Sequence, residues 1–182
     1  MLTVTEVSFA YRGKPVLADV NLTINPGEWV GLRGASGSGK STLGRIVAGY
    51  LRPASGSVAV EGLPPAATTP RSVQLVSQNP LAAVNPRWRL ADVLRERIAV
   101  AQAAAVLDSL GVRPEWLSRW PHEVSGGELQ RIVIARALLA NPRYLVADEV
   151  TVSLDPVSQA EVWRSLRRYC CERRIGVLVI SH

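Results

Sequence analysis

The sequence predicts an α/β fold with a parallel central sheet, an antiparallel β portion at the N-terminus and a helical insertion over about residues 80 to 125. Three observations carry this expectation. Residues 2 to 9 and 16 to 24 alternate apolar and polar side chains between turn signals. A glycine-rich loop stands between a short apolar strand and an amphipathic helix. Apolar strands then alternate with helical stretches through the C-terminal half, the pattern of a layered parallel sheet. The 182 residues have the length of one domain, 1 to 182, and no internal repeat or low-complexity linker divides them.

Taken in order, Arg12-Gly13-Lys14-Pro15 reads as the turn between the first two strands, and Asn25-Pro26-Gly27 as the turn before a strand over 29 to 32. After the glycine-rich loop, Leu43, Ile46, Val47, Tyr50 and Leu51 fall at i, i+3, i+4, i+7 and i+8, one apolar stripe of a helix laid on the sheet. Strands are expected at 57 to 61 and 72 to 77, a helix from about 90 to 110, and a break over 111 to 121. Residues 126 to 140 are apolar nearly all round and predict a buried helix. A buried strand follows over 143 to 147, a helix over 156 to 173, and a central parallel strand over 175 to 180.

Composition narrows the class. Apolar residues make up 47% and charged residues 20%, ordinary globular usage that excludes disorder and fibrous architecture. The longest apolar stretch, 98 to 107, is interrupted by Gln102 and falls short of the ~20 residues a membrane helix needs. The N-terminus lacks the basic start, apolar middle and small-residue site of a secretory signal, so a cytoplasmic location is expected. A net charge of +6 is spread along the chain; only Arg167, Arg168, Arg173 and Arg174 bunch, which reads as a solvated helix face, and no nucleic acid is expected as a partner. Cys170 and Cys171 are sequence neighbours, poor geometry for a disulfide, and are expected to be reduced core thiols.

The chemistry is concentrated in three motifs. Gly34-Ala35-Ser36-Gly37-Ser38-Gly39-Lys40-Ser41 fits G-x-x-x-x-G-K-[ST] in the strand, loop, helix context that the motif demands. Its glycines let successive N–H groups turn toward phosphate oxygens, and the helix N-terminus adds its positive end. Lys40 supplies a point charge for β- and γ-phosphates and Ser41 a hydroxyl for Mg²⁺. Tyr144-Leu145-Val146-Ala147-Asp148-Glu149 is an apolar strand ending in two acids, and a parallel strand delivers such groups to the ligand-binding edge of the sheet. Asp148 would join the Mg²⁺ shell, and Glu149 would orient or deprotonate an attacking water. The third motif, Ser125-Gly126-Gly127-Glu128, opens the buried helix; by itself it is a capping box, serine followed three residues later by glutamate.

With these motifs in this order, the chain resembles the nucleotide-binding domain of ABC transporters, and Val124-Ser125-Gly126-Gly127-Glu128 is similar to that family's signature L-S-G-G-Q. The resemblance implies a P-loop NTPase core that binds and hydrolyses ATP with Mg²⁺. It implies a second ABC ATPase domain as partner, the same chain or another, because in the family two domains pack head to tail and each signature contacts the γ-phosphate held by the other's P-loop. Tyr11 matches the aromatic that stacks on adenine, though an ordinary strand tyrosine has the same appearance; Thr42 closes the nucleotide-binding run. Gln78 matches the glutamine that reaches Mg²⁺ and senses the membrane partner, and His182 the switch histidine that contacts the γ-phosphate. Ser153-Leu154-Asp155 matches the loop that crosses the dimer interface, while Asp155-Pro156 is equally an N-cap and first-turn proline. On this basis Glu149, Gln78 and His182 are the catalytic candidates and Ser41, Gln78 and Asp148 the metal ligands.

Gln78-Asn79-Pro80-Leu81-Ala82-Ala83-Val84-Asn85-Pro86-Arg87 and Trp120-Pro121-His122-Glu123-Val124-Ser125 resemble the ATPases of oligopeptide, dipeptide and nickel importers. That implies a motor on the inner face of the cell membrane, working with permease subunits and indirectly with a substrate-binding protein. Four departures stand beside the resemblance. Val124 and Glu128 replace leucine and glutamine of the signature, Val150 replaces the proline after the acid pair, the stretch between Gly62 and Arg71 is short, and the family continues past the position of His182. A non-transport ABC ATPase acting on nucleic acid or ribosomes, and a catalytically weak nucleotide-binding regulatory form, are the alternatives.

Overall fold

In the computed structural model, which describes residues 1–67, 71–96, 103–152 and 154–181, the chain divides into two compact units. The first holds residues 1–75, 142–148 and 174 to the end of the described chain; the second holds 76–141 and 149–173. Predicted as an insertion over 80 to 125, the helical part therefore also takes in the helices that follow it.

The first unit contains two sheets. Strands β1 (Leu2–Tyr11) and β2 (Lys14–Ile24) are antiparallel, as their alternation predicts, and β4 (Ser55–Val60) adds to the other side of β1. The turn is tighter than the four residues expected: Tyr11 pairs with Lys14, and Arg12 and Gly13 both have positive φ, 48° and 80°, which suits a two-residue hairpin. Pro15 lies within β2, where its missing N–H is tolerated because β2 is the edge strand. The second sheet has the order β3 (Trp29–Arg33), β7 (Gly176–Ser181), β6 (Tyr144–Asp148), β5 (Val73–Val76), and β7 runs parallel to both β3 and β6. Helix α1 (Lys40–Val47) buries Leu43, Ile46 and Val47 in a core shared with Leu2, Val4, Val146 and Ile180. The helix stops there, although Leu51 of the predicted stripe still packs against this core. Gly49, at φ 72°, ends the helix with Tyr50 N–H bonded back to the Arg45 carbonyl, and Tyr50 turns outward beneath the Arg71 guanidinium, 4.3 Å from its ring.

The second unit is helical. The single helix expected over 90 to 110 is instead α2 (Leu90–Arg95) and α3 (Ala104–Ser109), and part of that expectation lies outside the described residues. The break over 111 to 121 contains a short 3₁₀ turn, Pro114–Ser118, and a second, Pro121–Glu123, follows it. Helix α4 (Gly126–Leu139) packs on α2 and α3 and buries Leu129, Ile132, Val133, Ile134 and Leu138, as its all-round apolar sequence requires. Helix α5 (Pro156–Glu172) exposes Arg167 and Arg168 and buries Val162, Leu166, Tyr169 and Cys170. Cys171 is exposed, not a core thiol: the two neighbours point to different faces of the helix.

Candidate functional site

In the first unit, the loop from Gly34 to Gly39 carries the chain from the end of β3 into α1. Gly39 is the N-cap of α1 at φ 90°, and a Cβ there would lie 2.9 Å from Leu17 Cδ2 and 3.0 Å from the Val16 carbonyl oxygen, so both conformation and space demand glycine. A glycine cap brings no side-chain acceptor to the first turn, which leaves the positive end of the helix for an anion. Lys40 is only 7% exposed, and its ammonium reaches back across the loop to donate to the carbonyls of Gly34 at 2.7 Å and Ala35 at 2.9 Å. Ser38 N–H donates to the Ala35 carbonyl, closing the curl through Ser36 and Gly37.

Ser41 Oγ donates to Asp148 Oδ1 at 3.1 Å across 107 residues of sequence. The contact follows from topology. β6 is buried along its whole length and ends at Asp148, while β3, two strands away, feeds the loop. A hydroxyl and a carboxylate oxygen are hard donors suited to Mg²⁺, which takes few protein ligands and keeps phosphate and water oxygens for the rest. Tyr11, at the end of β1, is 43% exposed, with its ring edge-on to Phe9 at 4.8 Å, so an aromatic face is available for stacking.

The remaining described candidates lie in the second unit. Glu149, half-buried, follows Asp148 directly and has φ 52°, an unfavourable conformation for a side chain of this size that holds the chain in a sharp turn. Val150, in place of the expected proline, is fully buried. Thr151 then anchors the turn: its Oγ1 accepts from Gln159 Nε2 at 2.9 Å and Trp163 Nε1 at 3.1 Å, both on α5. Asp155 caps α5, accepting from the N–H groups of Val157 and Ser158, and the Ser158 hydrogen bonds hold its carboxyl below the usual range. Gln78 is exposed just after β5. Ser125 and Glu128 form the capping box, with Ser125 N–H donating to Glu128 Oε2 at 2.7 Å and Glu128 N–H to Ser125 Oγ at 3.2 Å. Gly127 is crowded, since a Cβ there would meet Leu154 Cδ2 at 3.0 Å, but at Gly126 a Cβ would meet nothing within 4 Å. The cap thus accounts for Ser125 and Glu128, and no local contact accounts for Gly126. His182 and Ser153 lie outside the described residues. Thr151 belongs to no motif, and its one signal in the sequence is a polar residue between two valines.

The sequence profile of the ABC transporter family matches residues 17–152. A putative peptide import ATP-binding protein of Brucella abortus (strain 2308) is 42% identical over 181 aligned residues, covering 90% of this chain and 54% of its own length. The nickel import system ATP-binding protein NikE of Staphylococcus aureus (strain MSSA476) is 36% identical over 194 aligned residues, covering all of this chain and 80% of its own. The chain spans about half the length of the peptide-import relatives it matches. Among solved structures, the dimeric MJ0796, a bacterial ABC transporter cassette, superposes with a TM-score of 0.88 at 27% identity, over all of this chain and 88% of that one. The same cassette in a post-hydrolysis state bound to ADP and Pi gives 0.87 at 25% identity, with the same coverage.

Proposed function

The chain belongs to the ABC transporter family, and from that premise we propose that it is the ATP-binding and ATP-hydrolysing motor of an importer of the peptide or nickel class. The observation that carries the reading is the meeting of Ser41 hydroxyl, Asp148 carboxylate and buried Lys40 ammonium at one glycine-capped helix start. The importer class rests on the likeness to peptide and nickel import ATP-binding proteins.

In this reading the N–H groups of the Gly34 to Thr42 run cradle the phosphates, and Lys40 exchanges its loop carbonyls for β- and γ-phosphate oxygens. Tyr11 stacks on the adenine. Ser41 and Asp148, with Gln78, would hold Mg²⁺, which supplies positive charge against the phosphate oxygens. Glu149 orients the attacking water and accepts its proton as the γ-phosphoryl group leaves ADP, and His182 contacts the same phosphoryl group. Ser125, Gly126 and Gly127 meet the nucleotide of a second ABC ATPase domain, and Asp155 lies on the same interface. The two units work as one ATPase domain, seated on permease subunits at the inner face of the membrane and served indirectly by a substrate-binding protein. Among the described residues, no helix is long and apolar enough to cross a membrane.

Nucleotide titration and steady-state phosphate release test the assignment. Glu149→Gln is expected to keep ATP affinity within about twofold while turnover falls by about 10²-fold or more, since a positioned base contributes that much. Lys40→Ala is expected to abolish saturable binding. Equal loss of ATP binding in both variants would contradict the roles.

A further inference from the structure

Arg131 stands one turn past Gly127 on the same face of α4, at the i, i+4 spacing. Its side chain is 13% exposed, and each arm of its guanidinium has a separate partner. Nη1 donates to the Leu110 carbonyl at 2.8 Å, just beyond the end of α3, and Nη2 to Glu161 Oε2 on α5 at 2.9 Å. Space is kept for it by Gly111, at φ 65°, where a Cβ would come within 3.2 Å of Nη1. Arginine stays charged at any working pH, so a cation this enclosed is costly unless both arms are satisfied, and here one carbonyl and one carboxylate satisfy them.

The pair spans a gap. A cleft of about 580 Å³ is lined by the start of α4 (Ser125, Glu128), the start of α5 (Ser158, Glu161) and the 108–116 stretch at the end of α3. Close to the chain, Gly127 leaves no room for a side chain against Leu154, since a Cβ there would come within 3.0 Å of Leu154 Cδ2. The Arg131 to Glu161 bridge ties α4 to α5 further along, and the bond to the Leu110 carbonyl, at the end of α3, holds the guanidinium in place. Close packing at Gly127 and the ion pair at Arg131 thus connect the start of α4 with the start of α5 at two separate points.

We propose that Arg131 is a positioning residue that locks the Ser125 to Gly127 turn and the Leu154 to Asp155 loop in register, so that the turn can meet the nucleotide of a second copy while the loop meets the same interface. This rests on the reading above that a second ABC ATPase domain packs on this face, here taken as a second copy of this chain, the two-copy reading. It assigns Arg131 no contact with ATP; its effect passes through the alignment of two segments that separately gain little from association unless both fit.

The test is sedimentation velocity of the full chain with ATP in the Glu149→Gln background, alongside fluorescent-nucleotide titration and thermal melting. Arg131→Met, Glu161→Gln and Gly111→Ala are each expected to keep ATP affinity within about twofold and to weaken ATP-driven association by at least about tenfold, the size of coupling expected for residues sharing one network. Arg131→Met and Glu161→Gln should be non-additive when combined, and Arg131→Lys should recover part of the loss. Folded Arg131→Met that associates like its parent overturns the proposal. If Arg131→Met does not fold, unchanged association in Glu161→Gln and Gly111→Ala overturns it. ATP affinity and association falling together would mark a general structural defect and also overturn it. A parent that stays monomeric with ATP overturns the two-copy reading and the assignment of Arg131 with it.

Discussion

Glycines at the two helix starts occupy opposite situations, and substitution separates them. Gly39 is held at φ 90° against Leu17 and Val16, so Gly39→Ala should cost about 1–3 kcal/mol of strain, with displacement of β2 added, and should lower the melting temperature. Gly126 sits in open space at the first position of α4, and alanine there reduces unfolded-state freedom, so Gly126→Ala should leave stability unchanged or raise it by about 0.5 kcal/mol. Its cost should appear elsewhere: a methyl group facing an incoming phosphate should weaken ATP-driven association in the Glu149→Gln background. Melting curves and sedimentation of the two variants check the contrast. Loss of stability in Gly126→Ala without loss of association would return that glycine to an ordinary structural role.

Helix α4 carries its own conflict in Glu128. The carboxylate completes the capping box on Ser125 and adds negative charge to the first turn, which favours the helix by about 0.3–1 kcal/mol. The same charge lowers the positive potential that the helix start offers to a γ-phosphate. Glu128→Gln keeps a carbonyl oxygen able to accept from Ser125 N–H, so the cap should survive while the charge goes. Slightly lower thermal stability and tighter ATP-bound association are expected together, and unchanged or weaker association would count against the electrostatic argument. Further along, Arg136 donates to the Ala83 carbonyl and pairs with Glu96 at 2.6 Å, tying α4 to the stretch after Gln78 and to the end of α2. With Arg131 on one turn and Arg136 on a later one, α4 is braced by two enclosed cations whose partners come from four other segments.

For the molecule as a whole, the two cysteines report on whether its units open together. Cys171 is exposed and should react with a thiol reagent at once, whereas Cys170 is fully buried in α5 and its thiol is pushed up to about 12, chiefly by burial. Labelling of Cys170 thus requires opening of the second unit, while the P-loop lies in the first. ATP at a hundred times its dissociation constant stabilises a binding-competent state by about 2.7 kcal/mol. If both units unfold as one, ATP should slow Cys170 labelling by about 10²-fold; labelling unaffected by ATP would show that the helical unit opens alone.

The phosphate loop, the acid pair, the capping box and the Asp155 cap were all legible along the chain, because each is defined by residues within about eight positions of one another and by backbone geometry that recurs in any fold. Periodicity likewise placed the strands and the buried helix, since alternation and the 3.6-residue repeat are properties of the local chain. Tyr50 left the predicted stripe because a positive φ at Gly49 ended the helix first, and Cys171 faced outward because α5 buries one side only. Motif reading assigned Ser41 and Asp148 to the same chemistry, but their 3.1 Å contact across 107 residues exists because β6 lies in the same parallel sheet as β3. Arg131 shows the other extreme. Nothing near it in sequence distinguishes it from a solvated helix arginine, since its partners are 21 and 30 residues away, and only the packing of α3, α4 and α5 encloses the guanidinium and selects them.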